Sequence, residues 1–209
     1  MRAQLGNGAL GPVFRAYDPR LERDVAVRVI DEELATQARA MAQLSHPNLV
    51  QVYEVSADDL GGTCIVMELV AGVDLARWLA AELRTPAAIA DAFLQAGHGL
   101  AAAHDKGIMH GDFNPANVLV GADGRVRVAD LGLARGPATV GSDARAFGAA
   151  LQAALGDHVS LQLRAALGRN ELTGMLAALE PRKRPRTPWL VAAGVVIALG
   201  GTLALLFLR

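Results

Sequence analysis

Residues 189–208 read WLVAAGVVIALGGTLALLFL, an unbroken run of 20 side chains without a charge. At about 1.5 Å of rise per helical residue, such a run reaches roughly 30 Å, the thickness of a bilayer's hydrocarbon core. The alternative is a helix buried in a globular core, but a run this long is seldom needed in water. The expectation is one transmembrane helix, with Trp189 at the end where aromatic belts lie. Just before it, residues 181–188 read PRKRPRTP and carry Arg182, Lys183, Arg184 and Arg186. Such a cluster can be a solvated linker, and it also marks the cytoplasmic flank of a span. The N-terminal part is therefore expected to face the cytoplasm. Only Arg209 follows the run, so no outer domain is expected.

The rest of the chain has to make its own core. The 209 residues are 52% hydrophobic, with a formal net charge of −1. That charge gives no global attraction to nucleic acid, which is not expected as a partner. Cys64 is the single cysteine, which excludes an internal disulfide and a zinc site built on thiolates. Met1 and Arg2 run straight into a glycine-rich stretch, with no apolar segment of a signal peptide.

Residues 5–30 read as two or three strands around glycine turns, with VAVRVI at 25–30 a short apolar strand. Residues 33–44 have a helical pattern. Residues 49–55 and 63–70 read as a strand pair across a polar turn. From Asp74 onward the pattern turns helical, at 74–83, 86–105, 142–155 and 160–179. It is interrupted by a hairpin of residues 118–120 and 126–129 around Gly121-Ala122-Asp123-Gly124. The expected fold class is α+β, a small β-rich lobe followed by a mainly helical one.

Chemistry-bearing motifs lie on this frame. Gly6, Gly8 and Gly11 fit G-x-G-x-x-G-x-V ending at Val13. Glycine lets backbone N–H groups approach phosphate oxygens, although such glycines alone are more often plain turns. A dinucleotide fold would need a helix directly after them, whereas strand-like VFRAYD follows. Further on come VAVRV, HPNLVQVYEV at 46–55, IVMELV at 65–70, HGDFNPANVLV at 110–120 and ADLGLA at 129–134. Asp112, Asn117 and Asp130 taken singly would more often be turn formers.

Taken in order, the motifs over about residues 5–155 resemble the bacterial Hanks-type serine/threonine protein kinases, with a weaker likeness to about 180. The resemblance implies a bilobal kinase-like fold with ATP between the lobes. It sets an N-lobe at 1–70, a shortened C-lobe at 71–180, a basic linker at 181–188 and the span at 189–208. By motif match, Gly6, Gly8 and Gly11 would cover the phosphates. Val13 and Ala26 would pack above the adenine and Leu119 below it. Met67 would be the gatekeeper, and Glu68 to Val70 the hinge. Asp112 would be the catalytic base, and Asn117 and Asp130 would hold Mg²⁺ with ATP. Met41, Val52, His110 and Leu131 fit the apolar spine that links the lobes.

Several positions depart from the family pattern. The strand-three lysine is Arg28, and arginine is no neutral replacement for a compact point charge. The best match to its glutamate partner is the uncharged Gln37. The family's arginine is Gly111, and its second lysine is Asn114, so a cation is missing where transfer charge develops. Nine residues, 133–141, stand where a whole activation segment would lie, before SDARAFG with Asp143 and Gly148 matching the start of a later helix. The sequence favours a membrane-anchored pseudokinase, a binding module able to hold ATP and Mg²⁺, with an unknown protein partner. The alternative is a divergent active serine/threonine kinase, since Asp112, Asn117, Asp130 and the glycines survive. A third reading is a truncated gene product, because so little precedes Gly6.

Overall fold

A computed structural model describes residues 3–8, 11–20, 22–57, 62–133 and 136–181. The chain divides into two compact units, Met1–Leu179 and Glu180–Arg209. The uncharged run at 189–208 and the basic cluster at 182–186 lie outside the described residues. Among the described residues, no helix is long and apolar enough to cross a membrane.

The first unit begins with three strands, β1 (Ala3–Gly8), β2 (Gly11–Asp18) and β3 (Arg23–Ile30). After a short 3-10 turn and helix α1 (Ala35–Met41) come β4 (Val52–Ala57) and β5 (Thr63–Glu68). The five strands form one sheet in the order β1-β2-β3-β5-β4, antiparallel at every pairing. β3 is central, and Val25, Ala26, Val27, Arg28 and Ile30 are buried along it. Ala26 and Ile30 join the main core, and Val25 and Val27 a second, smaller cluster, which is why the strand is apolar at nearly every position rather than alternating with polar residues. The helix expected over 33–44 is shorter in the structure. It buries only Ala35, Ala38 and Met41, one stripe at helical spacing.

The second half is helical around a small sheet. Helix α2 (Leu75–Ala81) starts on an Asp74 cap, and α3 (Pro86–His104) starts on a Thr85 cap with proline in its first turn. Strands β6 (Gly72–Asp74), β7 (Val118–Gly121) and β8 (Val126–Val128) form the three-stranded sheet. Helix α4 (Val140–Leu155) opens on a capping box between Thr139 and Ser142. The helix expected over 160–179 is two helices, α5 (Leu161–Arg169) and α6 (Leu172–Leu179), broken at Asn170, whose φ is +53°. Asparagine tolerates that left-handed conformation and so ends the helix.

Aromatic rings fill the centre. Phe93 of α3 meets Phe147 of α4 edge-on at 5.7 Å, and Phe147 meets Phe113 at 5.4 Å. The two lobes are stitched by backbone bonds. Val50 N–H donates to the Val128 carbonyl (2.9 Å), and Val128 N–H donates to the Asn48 carbonyl (2.9 Å). Gly99 of α3 lies directly against this stitch. A Cβ there would sit 2.2 Å from the Asn48 carbonyl oxygen, a backbone atom that cannot swing aside. Gly99→Ala is expected to lower stability by about 1–3 kcal/mol through overpacking, read as a lower denaturant midpoint at unchanged slope.

Candidate functional site

Between the β-rich sheet and the β6–β7–β8 sheet lies a cleft of about 400 Å³, within the range of roughly 300–1,000 Å³ usual for small-molecule sites. Its lining gathers residues far apart in sequence. Gly6, Val13, Ala26 and Arg28 come from β1 to β3, Met67, Glu68 and Val70 from β5 and its exit, and Leu119 and Asp130 from the hairpin region. The strand register explains the grouping, for Gly6 pairs with Val13, Val13 with Arg28, and Ala26 with Met67. The glycine-bearing hairpin pairs Gly8 with Gly11 at its tip. Met67 also lines a smaller internal space shared with Met41, Val52 and Leu131. It thus stands between cleft and core, and the four spine residues, Met41, Val52, His110 and Leu131, are all buried.

The charged residues are arranged differently from the family pattern. Arg28 Nη2 lies 2.8 Å from Asp130 Oδ2, with the Arg28 side chain 7% exposed and that of Asp130 13%. The pair crosses the cleft and joins the two lobes. Gln37, matched by sequence to the partner of Arg28, lies on the exposed side of α1. Burial pushes the Asp130 carboxyl above its ordinary range, and the neighbouring Arg28 charge opposes that push. Arg28 Nε and Nη1 are buried without an acceptor among the described residues. Glu68 is held from the other side by Arg127 Nε at 3.1 Å.

The loop before β7 carries Asp112, Asn114 and Asn117. Asn117 Nδ2 donates to the Asp112 carbonyl (2.9 Å) and to Asp112 Oδ2 (3.3 Å). The Asn117 carbonyl accepts from Ala129 N–H (2.8 Å), which sets this loop beside Asp130. Asn114 turns back into its own loop: Oδ1 accepts from Ala116 N–H (2.9 Å), and Nδ2 donates to the Asp112 carbonyl (3.0 Å). It caps the 3-10 turn Pro115–Asn117. A residue standing where the family has a cation thus holds the loop's shape.

These residues do not fit a divalent metal as arranged. Mg²⁺ takes hard oxygen ligands and retains several waters, whereas the Asp130 carboxylate is buried against a guanidinium.

Beneath the loop sits an anchor whose role the sequence does not declare. Asp143, 1% exposed, accepts from His110 N–H (2.7 Å) and Gly111 N–H (2.9 Å), and its Oδ2 lies 2.8 Å from His104 Nε2. Burial would raise its pKa, yet the His104 hydrogen bond and these backbone N–H groups hold it below the usual carboxylate range. Gly111 has φ +81°, a conformation glycine adopts freely and arginine does not. His110 stacks edge-on against Phe113 at 5.6 Å. Its Nδ1 accepts from Asp112 N–H (3.3 Å), which puts the neutral ring's proton on Nε2.

Burial lowers the His110 pKa, which gives the fold a pH dependence. The unfolded chain takes up a proton at this residue near pH ~6.5, and the folded chain only at lower pH. The unfolded state then binds more protons, so stability is full above about pH 6.5 and falls as the pH drops below it. Unfolding at pH 5.5 is expected to need less denaturant than at pH 7.5, in part through this group. His46 is shifted the same way by burial and by His98 and adds to the loss. His110→Gln should flatten the profile, a result denaturant titrations at the two pH values would read.

A model of the protein kinase domain matches residues 1–146. Over 146 residues the chain is 36% identical to the serine/threonine-protein kinase PknL of Mycobacterium tuberculosis, covering 65% of this chain and 36% of that protein. It is 37% identical over 152 residues to PknB of the same species, covering 66% of this chain and 24% of PknB. To a probable serine/threonine-protein kinase of Corynebacterium efficiens it is 34% identical over 147 residues, covering 64% of this chain and 22% of that protein. The chain therefore spans between 22% and 36% of the length of these relatives.

Proposed function

The chain belongs to the protein kinase domain family, and we propose that it serves there as a transfer-deficient member, a pseudokinase whose cleft admits an adenine nucleotide and whose body acts as a signalling and binding module. The observation that carries this reading is the Arg28–Asp130 pair at 2.8 Å. The residue expected to steady the phosphates and the residue expected to hold metal are bound to each other. Asn114 adds to this by capping a turn, since loss of a group that stabilises developing charge typically lowers transfer about a hundredfold or more. The short connection from Leu133 to α4 leaves little chain for a peptide-substrate platform.

The alternative, a divergent active serine/threonine kinase, rests on Asp112 and Asn117, which remain joined by hydrogen bonds beside the cleft. A radiolabel assay with ATP and generic protein substrates separates the two. The expected outcome is incorporation no greater for the natural chain than for Asp112→Ala. Incorporation that Asp112→Ala abolishes would establish the active reading instead.

The uncharged run at 189–208, with its basic flank, supports a single-pass anchor and a cytoplasmic kinase-like domain. The full-length chain should stay with membranes through a high-salt wash and leave them only in detergent. Recovery in the soluble fraction would remove the anchor from the account.

A further inference from the structure

We propose that the cleft takes a weakly charged purine ligand, an adenine nucleoside or its monophosphate, without a divalent cation. The inference rests on the reading of the cleft as a nucleotide site and narrows what that site accepts.

The two ends of the cleft differ in chemistry. At one end Val13, Ala26, Met67 and Leu119 offer an apolar slot that suits a flat ring. At the other, Arg28 and Asp130 neutralise each other at 2.8 Å. Around them the lining charges pair off, Glu68 with Arg127, Asp74 with Arg77 and Asp130 with Arg28. Glu68, Asp74 and Asp130 line the cleft against Arg28 and Arg77, and Arg77 is itself held by Asp74 at 3.3 Å with its side chain 81% exposed. Asp112 adds a carboxylate close enough to act on Asp130. A triphosphate entering without metal finds no free cation among the described residues of the lining to meet its charge. With metal, the ion would first have to draw the Asp130 carboxylate away from a buried guanidinium, and separating such a pair leaves an uncompensated buried charge.

A smaller anion meets a different balance. Arg28 Nε and Nη1 are buried with no acceptor among the described residues, and unmet buried donors are costly. A ribose hydroxyl or one phosphate gives them an acceptor while leaving the Arg28–Asp130 pair in place. These two donors can meet one acceptor group, and beyond it no unpaired cation lines the cleft among the described residues.

Isothermal titration of the full chain in detergent with adenosine, AMP and ATP, each in excess Mg²⁺ and in EDTA, tests this. Adenosine and AMP are expected to bind with dissociation constants unchanged within about twofold by EDTA, and ATP to bind at least tenfold more weakly in both buffers. ATP binding that is tighter than adenosine binding and is lost in EDTA would overturn the metal-free inference while leaving the nucleotide cleft standing. Absence of binding by all three ligands would overturn the cleft reading itself, and the inference with it.

Discussion

Asp143→Ala is expected to remove about 3–5 kcal/mol of folding stability, a large share of the ~5–15 kcal/mol a typical domain possesses. The carboxylate is 1% exposed and accepts from two backbone N–H groups and from the His104 ring. Alanine leaves those donors in a dry site, and each unmet donor costs about 1–3 kcal/mol. The damage also reaches function, because the two backbone donors are His110 and Gly111, directly before Asp112. Asp143→Asn keeps an acceptor oxygen but turns an N–H₂ toward one of the donors, so roughly half the loss is expected. Asp157→Ala, at an exposed acid, should stay within about 0.5 kcal/mol. Denaturant unfolding of the three variants would show this order, and equal midpoints for Asp143→Ala and Asp157→Ala would refute the anchor.

Arg28→Met is expected to be of similar size, again about 3–5 kcal/mol, since it strands a buried carboxylate at Asp130 with Asp112 nearby. Arg28→Lys should recover only part of that loss. A lysine ammonium is a strongly hydrated point charge and lacks the planar fork of the guanidinium. The double variant Arg28→Met, Asp130→Leu is the informative one. With both charges gone nothing remains unpaired, and apolar replacement of a buried ion pair is often close to neutral. It should therefore unfold nearer to the natural chain than either single variant does.

Much of the architecture was legible from residue pattern. The glycine hairpin, the apolar run of β3, the helical patterns from Asp74 onward and the turn at residues 121–124 are local signals, and local signals survive into the fold. The break at Asn170 escaped because the apolar spacing continues across it, and only the αL backbone shows the stop. Strand β6 is three residues long, too short for an alternation to register. At the site, the membership of the cleft was legible because the motifs name its lining. Its electrostatics were not. Arg28 and Asp130 are 102 positions apart, and no sequence spacing indicates that they pair. Sequence matching pointed Arg28 toward Gln37, which lies on the exposed face of α1. Asn114 could be read only as a missing cation, and its role as a cap appears once its Oδ1 is seen on Ala116 N–H.

Each functional statement depends on the cleft's cation being a side chain bound to Asp130. A double-mutant cycle on Arg28→Met and Asp130→Leu, measured by denaturant unfolding in EDTA, addresses that pairing without any ligand. The account predicts a coupling energy of more than about 3 kcal/mol between the two positions, beyond the ordinary range for residues in contact because each single change strands a buried charge. Losses that add to within about 0.5 kcal/mol would mean that the two side chains do not hold each other, and Asp130 would again be available to a metal.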